Sequence, residues 1–295
     1  MILTRRAAVI GAAALALPAA TRRDPAVRFV AELRRLEAGI GAGARIGLQL
    51  VDPFTGHSVA WRVAERFPMC STFKLLLVGM VLQRADRGID GLDRELRIPD
   101  KTLPNSPVAQ NYTGGVLPIR ELCSAAMTRS DNTAANLLLQ RVGGPTALTR
   151  FLRSTGDAVT RLDRYETDLN EGAPGDPRDT TTPAAMLDTM RRLTFGRVLT
   201  PASRKQLMFW MANTVTGADK IRKAMPPGWT VGDRTGAGGH NSNNDLALIW
   251  PAKRPFTQPL FVASFVTGGP GDDALARNPV HAAIGKLIVE LVGGA

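Results

Sequence analysis

The most constraining feature of this sequence is the placement of its predicted strands, which lie near the two ends of the chain with a long helical stretch between them. Apolar runs bounded by turn residues predict five strands, at Arg45–Asp52, Ser58–Ala64, Trp229–Asp233, Asp245–Trp250 and Leu260–Thr267. Short turns within each group favour antiparallel pairing. The simplest packing unites both groups in one antiparallel five-stranded sheet.

Apolar residues at helical spacing predict helices at both ends of the chain and through its middle. The terminal helices, near 27–40 and 279–292, are expected to flank the sheet. Middle helices are predicted at 72–87, 119–128, 133–142, 145–154, 183–195 and 201–212. We expect an α/β fold of the α+β sandwich type. Its α/β domain would comprise 27–66 and 213–295, and an all-α domain would comprise 67–212.

The first twenty residues, MILTRRAAVIGAAALALPAA, have the composition of an export signal. The pair Arg5–Arg6 precedes an apolar run, Ala7–Ala20, that is too short to span a bilayer and ends in small residues. The paired arginines favour the twin-arginine route, although an ordinary secretory signal also fits. We expect a signal peptide at residues 1–20, a periplasmic or secreted mature protein, and no stable membrane anchor.

The composition excludes several other classes of protein. Hydrophobic residues make up 44% and charged residues 21% of the 295, which is typical of a globular chain. The net charge of +11 invites a nucleic-acid-binding interpretation. However, the charge is spread along the chain, aromatic residues make up only 5%, and no basic arm is present. We therefore expect no nucleic-acid partner.

Residues that could bind a metal are few. The three histidines, His57, His240 and His281, and the two cysteines, Cys70 and Cys123, show no zinc-ligand spacing. We therefore expect no metal and no cofactor. The cysteines could pair in an exported protein. A fold completed before twin-arginine export would favour two free thiols, and the sequence alone leaves both states open.

The first motif with chemical potential is Ser71-Thr72-Phe73-Lys74. Residues three apart share a helix face, so Lys74 is predicted to lie one turn from the Ser71 hydroxyl. A serine becomes an effective nucleophile when a base takes its proton, and a buried, neutral lysine could be that base. A helix start would also expose backbone N–H groups to an oxyanion. The alternative is a capping serine beside a solvated lysine.

Two further motifs are weak when taken alone. Ser130-Asp131-Asn132 precedes a predicted helix and could be a plain capping segment. Arg234-Thr235-Gly236 is predicted to end a strand, and it offers a cation, a hydroxyl and space for a bound carboxylate. The alternative for this motif is an edge-strand arginine that enters a turn.

The fourth motif lies in a polar segment, 155–182, that has no clear periodicity. Loops of this length in compact domains are usually functional or disordered. Glu166 and Asn170, four residues apart, could hold one water between a carboxylate and an amide. The alternative is that both are solvated loop residues.

Together, the four motifs resemble, in their order and separation, the signature set of the class A serine β-lactamases. The resemblance extends over nearly the whole chain after the signal segment, and it implies an active site between the two predicted domains. Ser106-Pro107-Val108 resembles a turn that precedes the second motif in this family. Arg164 and Asp179 resemble the pair that pins the ends of the loop 163–179, which carries the glutamate; the alternative is two ordinary surface charges.

The resemblance implies a role for each motif in hydrolysing a β-lactam. Ser71 would be the nucleophile that forms an acyl-enzyme, activated by Lys74 or Glu166, since the acylation base of the family is disputed. Ser130 would relay a proton to the leaving ring nitrogen, and Glu166 with Asn170 would hold the deacylating water. Substrate binding would fall to Asn132, the backbone N–H groups of Ser71 and Ala237, Arg234, Thr235 and Gly236.

Two basic residues refine the expected substrate. The family usually has lysine where this chain has Arg234, and here the chain resembles the carbenicillin-hydrolysing branch. Arginine keeps the charge, and its planar fork can grip a carboxylate with two hydrogen bonds. Lys220 stands where some members carry an auxiliary arginine, so it could add a second cation or could be a solvated lysine. We expect a monomeric enzyme that hydrolyses penicillins, including carbenicillin.

Two other penicillin-recognising classes share part of this pattern. A penicillin-binding transpeptidase or carboxypeptidase has the first three motifs but lacks the loop carboxylate, so Glu166 favours a hydrolase. A non-catalytic penicillin sensor would become acylated and stay so. Such sensors usually come with a membrane-spanning segment.

Overall fold

The structure is a computed structural model that describes residues 25–293. The predicted signal peptide, residues 1–20, lies outside the described residues. Among residues 25–293, no helix combines the length and the apolar character that crossing a bilayer requires.

The predicted five-stranded antiparallel sheet is confirmed. Its strands are β1 (Arg45–Val51), β2 (Ser58–Trp61), β7 (Thr230–Gly238), β8 (Ser242–Trp250) and β9 (Leu260–Thr267). Their order across the sheet is β2-β1-β9-β8-β7, and every neighbouring pair is antiparallel. The first strands therefore pair directly with the last, and β7 forms one edge of the sheet.

Helices cover both faces of the sheet. The terminal helices α1 (Pro25–Ile40) and α8 (Asn278–Gly293) share one hydrophobic core with alternate β9 residues such as Val262. The intervening β9 residues, such as Phe265, belong to a second core with the middle helices. Because both of its faces are covered, β9 is buried along its whole length.

The middle of the chain is helical, as predicted, and carries two short strand pairs that the sequence did not predict. The helices are α2 (Phe73–Asp86), α3 (Ile119–Thr128), α4 (Asn132–Val142), α5 (Gly144–Ser154), α6 (Pro183–Thr194) and α7 (Pro201–Ala212). The strand pairs are β3 (Phe67–Pro68) with β6 (Thr180–Thr181), and β4 (Glu95–Arg97) with β5 (Val116–Pro118). The fold class is confirmed, and the division into 27–66 with 213–295, and 67–212, stays a prediction.

The predicted inner ends of β7 and β8 were wrong. The sequence placed them at Asp233 and Asp245, whereas the strands continue to Gly238 and start at Ser242, so Arg234-Thr235-Gly236 lies inside β7. Within β7, Gly236 allows a close approach to the segment that leads to Ser71. A Cβ at Gly236 would lie 2.8 Å from the carbonyl oxygen of Met69.

A stability prediction follows from the contact between β1 and the segment that leads to Ser71. A Cβ at Gly47 would lie 2.4 Å from Cε2 of Phe67 and 2.9 Å from Cγ of Pro183. We expect Gly47→Ala to lower the free energy of unfolding by about 1–3 kcal/mol, as is usual for an overpacked core. Urea denaturation of the purified variant measures the change.

Gly39→Ala in α1 is the matched control, because a Cβ there meets no atom within 4 Å. Alanine favours a helix over glycine, so this variant should keep its stability or gain up to about 1 kcal/mol. Equal losses in the two variants would contradict the packing argument.

Candidate active site

Ser71 lies in a short 3-10 turn, Cys70–Thr72, that leads directly into α2. The sheet holds this turn in place, because Nδ2 of Asn244 on β8 donates to the carbonyls of Pro68 and Met69, each at 2.9 Å. Ser71 is partly exposed, whereas the ten α2 residues that follow Thr72 are buried. The nucleophile candidate thus sits at the junction of the sheet and the helices.

Lys74 lies one turn after Ser71, and its Nζ is 3.0 Å from Ser71 Oγ. The side chain is fully buried, so the alternative of a solvated lysine is wrong. Nζ also lies 2.8 Å from the carbonyl of Ser130, 2.7 Å from Oδ1 of Asn132 and 2.9 Å from Oε1 of Glu166. Burial lowers the pKa of Lys74 to about 8, and the charge of Glu166 partly opposes this effect.

The Ser130-Asp131-Asn132 segment caps a helix and also faces Lys74. Oδ1 of Asp131 accepts from the backbone N–H of Ala134, which confirms the predicted cap of α4. On either side of this cap, Ser130 and Asn132 contact Lys74. Ser130 Oγ lies 3.3 Å from Lys74 Nζ, within reach for a proton transfer.

Arg234 is fully buried and lies inside β7. Although β7 is an edge strand, the alternative of an arginine that enters a turn is wrong. Nε donates to the carbonyl of Ser71 at 3.1 Å, Nη1 to that of Met127 at 3.4 Å, and Nη2 to Ser130 Oγ at 2.5 Å. Burial lowers its pKa to about 10. A guanidinium has five N–H groups, so two remain for another acceptor.

The other predicted carboxylate contacts lie around the same strand. Thr235 is nearly buried, and its Oγ1 lies 2.6 Å from Oγ1 of Thr216. Ala237, two residues on, is exposed. Lys220 is buried, so the solvated alternative is wrong for it as well. Its Nζ donates to the carbonyl of Asn244 at 2.9 Å, and burial lowers its pKa.

Glu166 and Asn170 lie beside Ser71, although 95 residues separate Glu166 from Ser71. Oε1 of Glu166 accepts a hydrogen bond from Ser71 Oγ at 3.3 Å, and Oε2 accepts one from Asn170 Nδ2 at 2.6 Å. The peptide bond between Glu166 and Thr167 is cis. Oδ1 of Asn170 is buried and accepts no hydrogen bond from residues 25–293.

The two ends of the loop 163–179 are joined by an ion pair. Arg164 Nε lies 2.6 Å from Oδ2 of Asp179, and Asp179 is buried, so these are not ordinary surface charges. Asp179 also accepts from the backbone N–H of Met69 through its carbonyl, at 2.9 Å. This bond ties the loop to the turn that carries Ser71.

Asn136 is a site residue that the sequence analysis missed. Its Nδ2 donates to the carbonyl of Glu166 at 2.8 Å, and its Oδ1 accepts from the N–H of Glu166 at 3.0 Å. The amide nitrogen and the amide oxygen of Asn136 therefore both hold the backbone of Glu166. The available signal was its spacing, because Asn136 lies four residues after Asn132 on α4 and so shares a helix face with it.

Cys70 and Cys123 are both buried and are not joined to each other. Burial raises the pKa of the Cys70 thiol to about 12. In the part of the chain that the structure describes, no group of three or more His, Cys, Asp or Glu side chains is arranged to hold a metal ion.

Comparisons with known proteins identify the family of this chain. The sequence model of the Beta-lactamase enzyme family matches residues 28–292. Beta-lactamase L2 of Stenotrophomonas maltophilia is 41% identical over 271 residues, which make up 92% of this chain and 88% of that protein.

Solved structures extend the comparison to the fold. An ancestral (GNCA) class A β-lactamase has a TM-score of 0.84 at 50% identity, over 89% of this chain and 99% of that one. A β-lactamase from Xanthomonas campestris pv. campestris has a TM-score of 0.86 at 44% identity, over 92% of this chain and 99% of that one. The resemblance carried by the four motifs is confirmed: the chain belongs to the class A β-lactamases, enzymes that hydrolyse β-lactams.

Proposed function

We propose that this β-lactamase hydrolyses penicillins through an acyl-enzyme on Ser71. The observation that carries the proposal is the position of Ser71 Oγ, 3.0 Å from Lys74 Nζ and 3.3 Å from Glu166 Oε1. One hydroxyl thus lies within hydrogen-bond reach of two groups that can take its proton. Because Ser71 is partly exposed, a substrate carbonyl can also reach this oxygen.

In acylation, Ser71 Oγ attacks the β-lactam carbonyl while its proton passes to Lys74 or Glu166. The backbone N–H groups of Ser71 and Ala237 would stabilise the resulting oxyanion. Gly236 supports this role, because a Cβ there would lie 2.8 Å from the Met69 carbonyl oxygen and 3.2 Å from the Ser71 nitrogen, so the two backbones run close together. The ring C–N bond then breaks as Ser130 Oγ gives its proton to the nitrogen and regains one from Lys74.

In deacylation, a water held by Glu166 and Asn170 attacks the ester. Glu166 takes one proton of this water and returns it, directly or through Lys74, to Ser71 Oγ as the ester C–O bond breaks. Nδ2 of Asn170 already donates to Glu166, so the buried Oδ1 remains free to accept from the water. The two side chains thus offer one acceptor each, which is what orienting a single water requires.

Substrate binding would use residues on and beside β7, together with Asn132. We propose that Thr235 donates to the substrate carboxylate and that Arg234 and Lys220 supply positive charge behind it. Asn132 Nδ2 donates one proton to the carbonyl of Pro104 and has a second for the side-chain amide of the substrate. Two cations near one carboxylate site favour substrates with an additional carboxylate, such as carbenicillin.

The cellular setting is also part of the proposal. Residues 1–20 support export to the periplasm or out of the cell. Action as a monomer fits a site in which every proposed group comes from one chain.

The role of Glu166 is tested by Glu166→Gln. Loss of the general base should slow turnover of benzylpenicillin by about 10²–10⁴-fold, while acylation continues. Intact-protein mass spectrometry should then find the enzyme carrying the full mass of the penicillin, because ring opening releases no fragment.

Asp168→Asn is the matched control, since it also replaces a carboxylate by its amide on the same loop, at an exposed side chain. Its turnover should stay within a few-fold of the parent. Fast turnover by Glu166→Gln would rule out the proposed deacylation step.

The pH dependence of acylation tests Lys74 as a base. Lys74 can accept the Ser71 proton only after losing its own, and its pKa is lowered to about 8. Glu166→Gln removes a negative charge that raises this pKa. We therefore expect the acylation rate of this variant to rise with pH and to level off at or below about pH 8. Stopped-flow measurements in which the acylation rate of this variant does not change with pH below about pH 8 would exclude Lys74 as the base.

The basic residues predict the substrate range. Steady-state kcat/KM on carbenicillin should fall within about tenfold of that on benzylpenicillin, because charge and hydrogen bonds favour the added carboxylate. Arg234→Lys keeps the charge but replaces a planar fork, whose three nitrogens each contact a different acceptor, by a single nitrogen, so it should lower kcat/KM on both substrates. A parent enzyme that works on carbenicillin about 100-fold more slowly or worse would contradict this substrate class.

A further inference from the structure

A pair of threonine hydroxyls lies next to the proposed carboxylate site. Oγ1 of Thr216 and Oγ1 of Thr235 are 2.6 Å apart, a short hydrogen bond in which either could be the donor. Within residues 25–293, neither hydroxyl makes another hydrogen bond. Thr235 is nearly buried and Thr216 is partly exposed. One hydroxyl proton of the pair therefore lies between the two oxygens, and the other hydroxyl proton is available to a different acceptor.

The direction of this hydrogen bond matters for binding an anion. A hydroxyl has one proton to donate, and a carboxylate only accepts. Thr235 can therefore donate to a substrate carboxylate only when it does not donate to Thr216. In that state Thr216 must be the donor, which gives a chain from Thr216 to Thr235 to the carboxylate. Successive hydrogen bonds of this kind polarise and strengthen one another.

The backbone on both sides of Thr216 is held in place. The N–H of Val215 donates to the carbonyl of Thr128, at the end of α3, at 3.1 Å. On the other side, a Cβ at Gly217 would lie 2.1 Å from Oδ2 of Asp233, so this backbone packs directly against β7. The Thr216 hydroxyl is thus supported from two elements that both border the site.

We propose that Thr216 is a positioning residue that orients the Thr235 hydroxyl toward the carboxylate of the substrate. The inference rests on the proposed role of Thr235 as a donor to that carboxylate. Arg234 and Lys220 attract the anion without this chain, since charge acts over distance. The Thr235 hydroxyl adds a direction to this attraction, because its single proton can be donated to only one acceptor.

The test uses Thr216→Val, which keeps the shape of the side chain and removes its hydroxyl. Inhibition constants are measured for two boronic acids that differ only in a carboxylate placed where that of a penicillin would lie. We expect the constant for the carboxylated compound to rise about three- to tenfold, as for one lost hydrogen bond, and that for the other to stay unchanged. For benzylpenicillin, KM should rise by a similar factor while kcat stays within about twofold.

Two variants separate positioning from a structural effect. Thr216→Ser keeps the hydroxyl and should restore the parent inhibition constants. Val215→Ala changes an exposed neighbour on the same segment and should leave both constants unchanged. An equal rise for both boronic acids in Thr216→Val, or no rise for either, would overturn the inference.

Thr235→Val distinguishes the two levels of the proposal. If this variant weakens only the carboxylated compound while Thr216→Val does not, Thr235 binds the carboxylate and the inference about Thr216 is wrong. If Thr235→Val also leaves the carboxylated compound unaffected, the proposed carboxylate site is wrong and the inference falls with it. In Thr216→Val/Thr235→Val, the two effects should fail to add, because both remove the same chain of hydrogen bonds.

Discussion

Lys74 and Glu166 form an ion pair, 2.9 Å between Nζ and Oε1, whose two side chains are fully buried. Removing two charges from water is costly, and their attraction offsets this cost only if their other hydrogen-bonding groups are also satisfied. Here Lys74 donates to Ser130 and Asn132, and Asn170 donates to Glu166. Most of the residues that are proposed to take part in the reaction therefore also stabilise this buried ion pair. The proposed catalysis and the stability of the site thus depend on the same contacts.

The fold brings the two charges together by joining distant segments to the turn at Ser71. Asn244 on β8 holds the carbonyls of Pro68 and Met69, and the carbonyl of Asp179 at the end of the loop accepts from Met69. The sheet, the turn that carries Ser71 and the loop 163–179 are therefore linked by these few hydrogen bonds. A change in any one of these hydrogen bonds should alter the position of Glu166 relative to Ser71, because a close-packed interior transmits strain.

The residues proposed for chemistry and those proposed for substrate binding are also coupled. Arg234 contacts the Ser71 carbonyl and Ser130 Oγ, so one buried cation borders both the nucleophile and the proposed proton relay. Its side chain leaves only two N–H groups for a carboxylate. In the proposed binding mode, recognition of the anion therefore depends on hydroxyl donors as well as on charge, which is the role proposed for Thr235 and its partner Thr216.

The sequence by itself determined what depends on neighbouring residues: the order of strands and helices, the cap at Asp131, and the spacing that places Lys74 one turn from Ser71. Tertiary structure alone decided the contacts between distant segments, such as Glu166 beside Ser71 and Thr216 against Thr235. It also decided where β7 ends, because a glycine can mark either a turn or a close approach between backbones. Local sequence patterns determine local backbone geometry, whereas burial and contacts between distant residues form only when the chain packs.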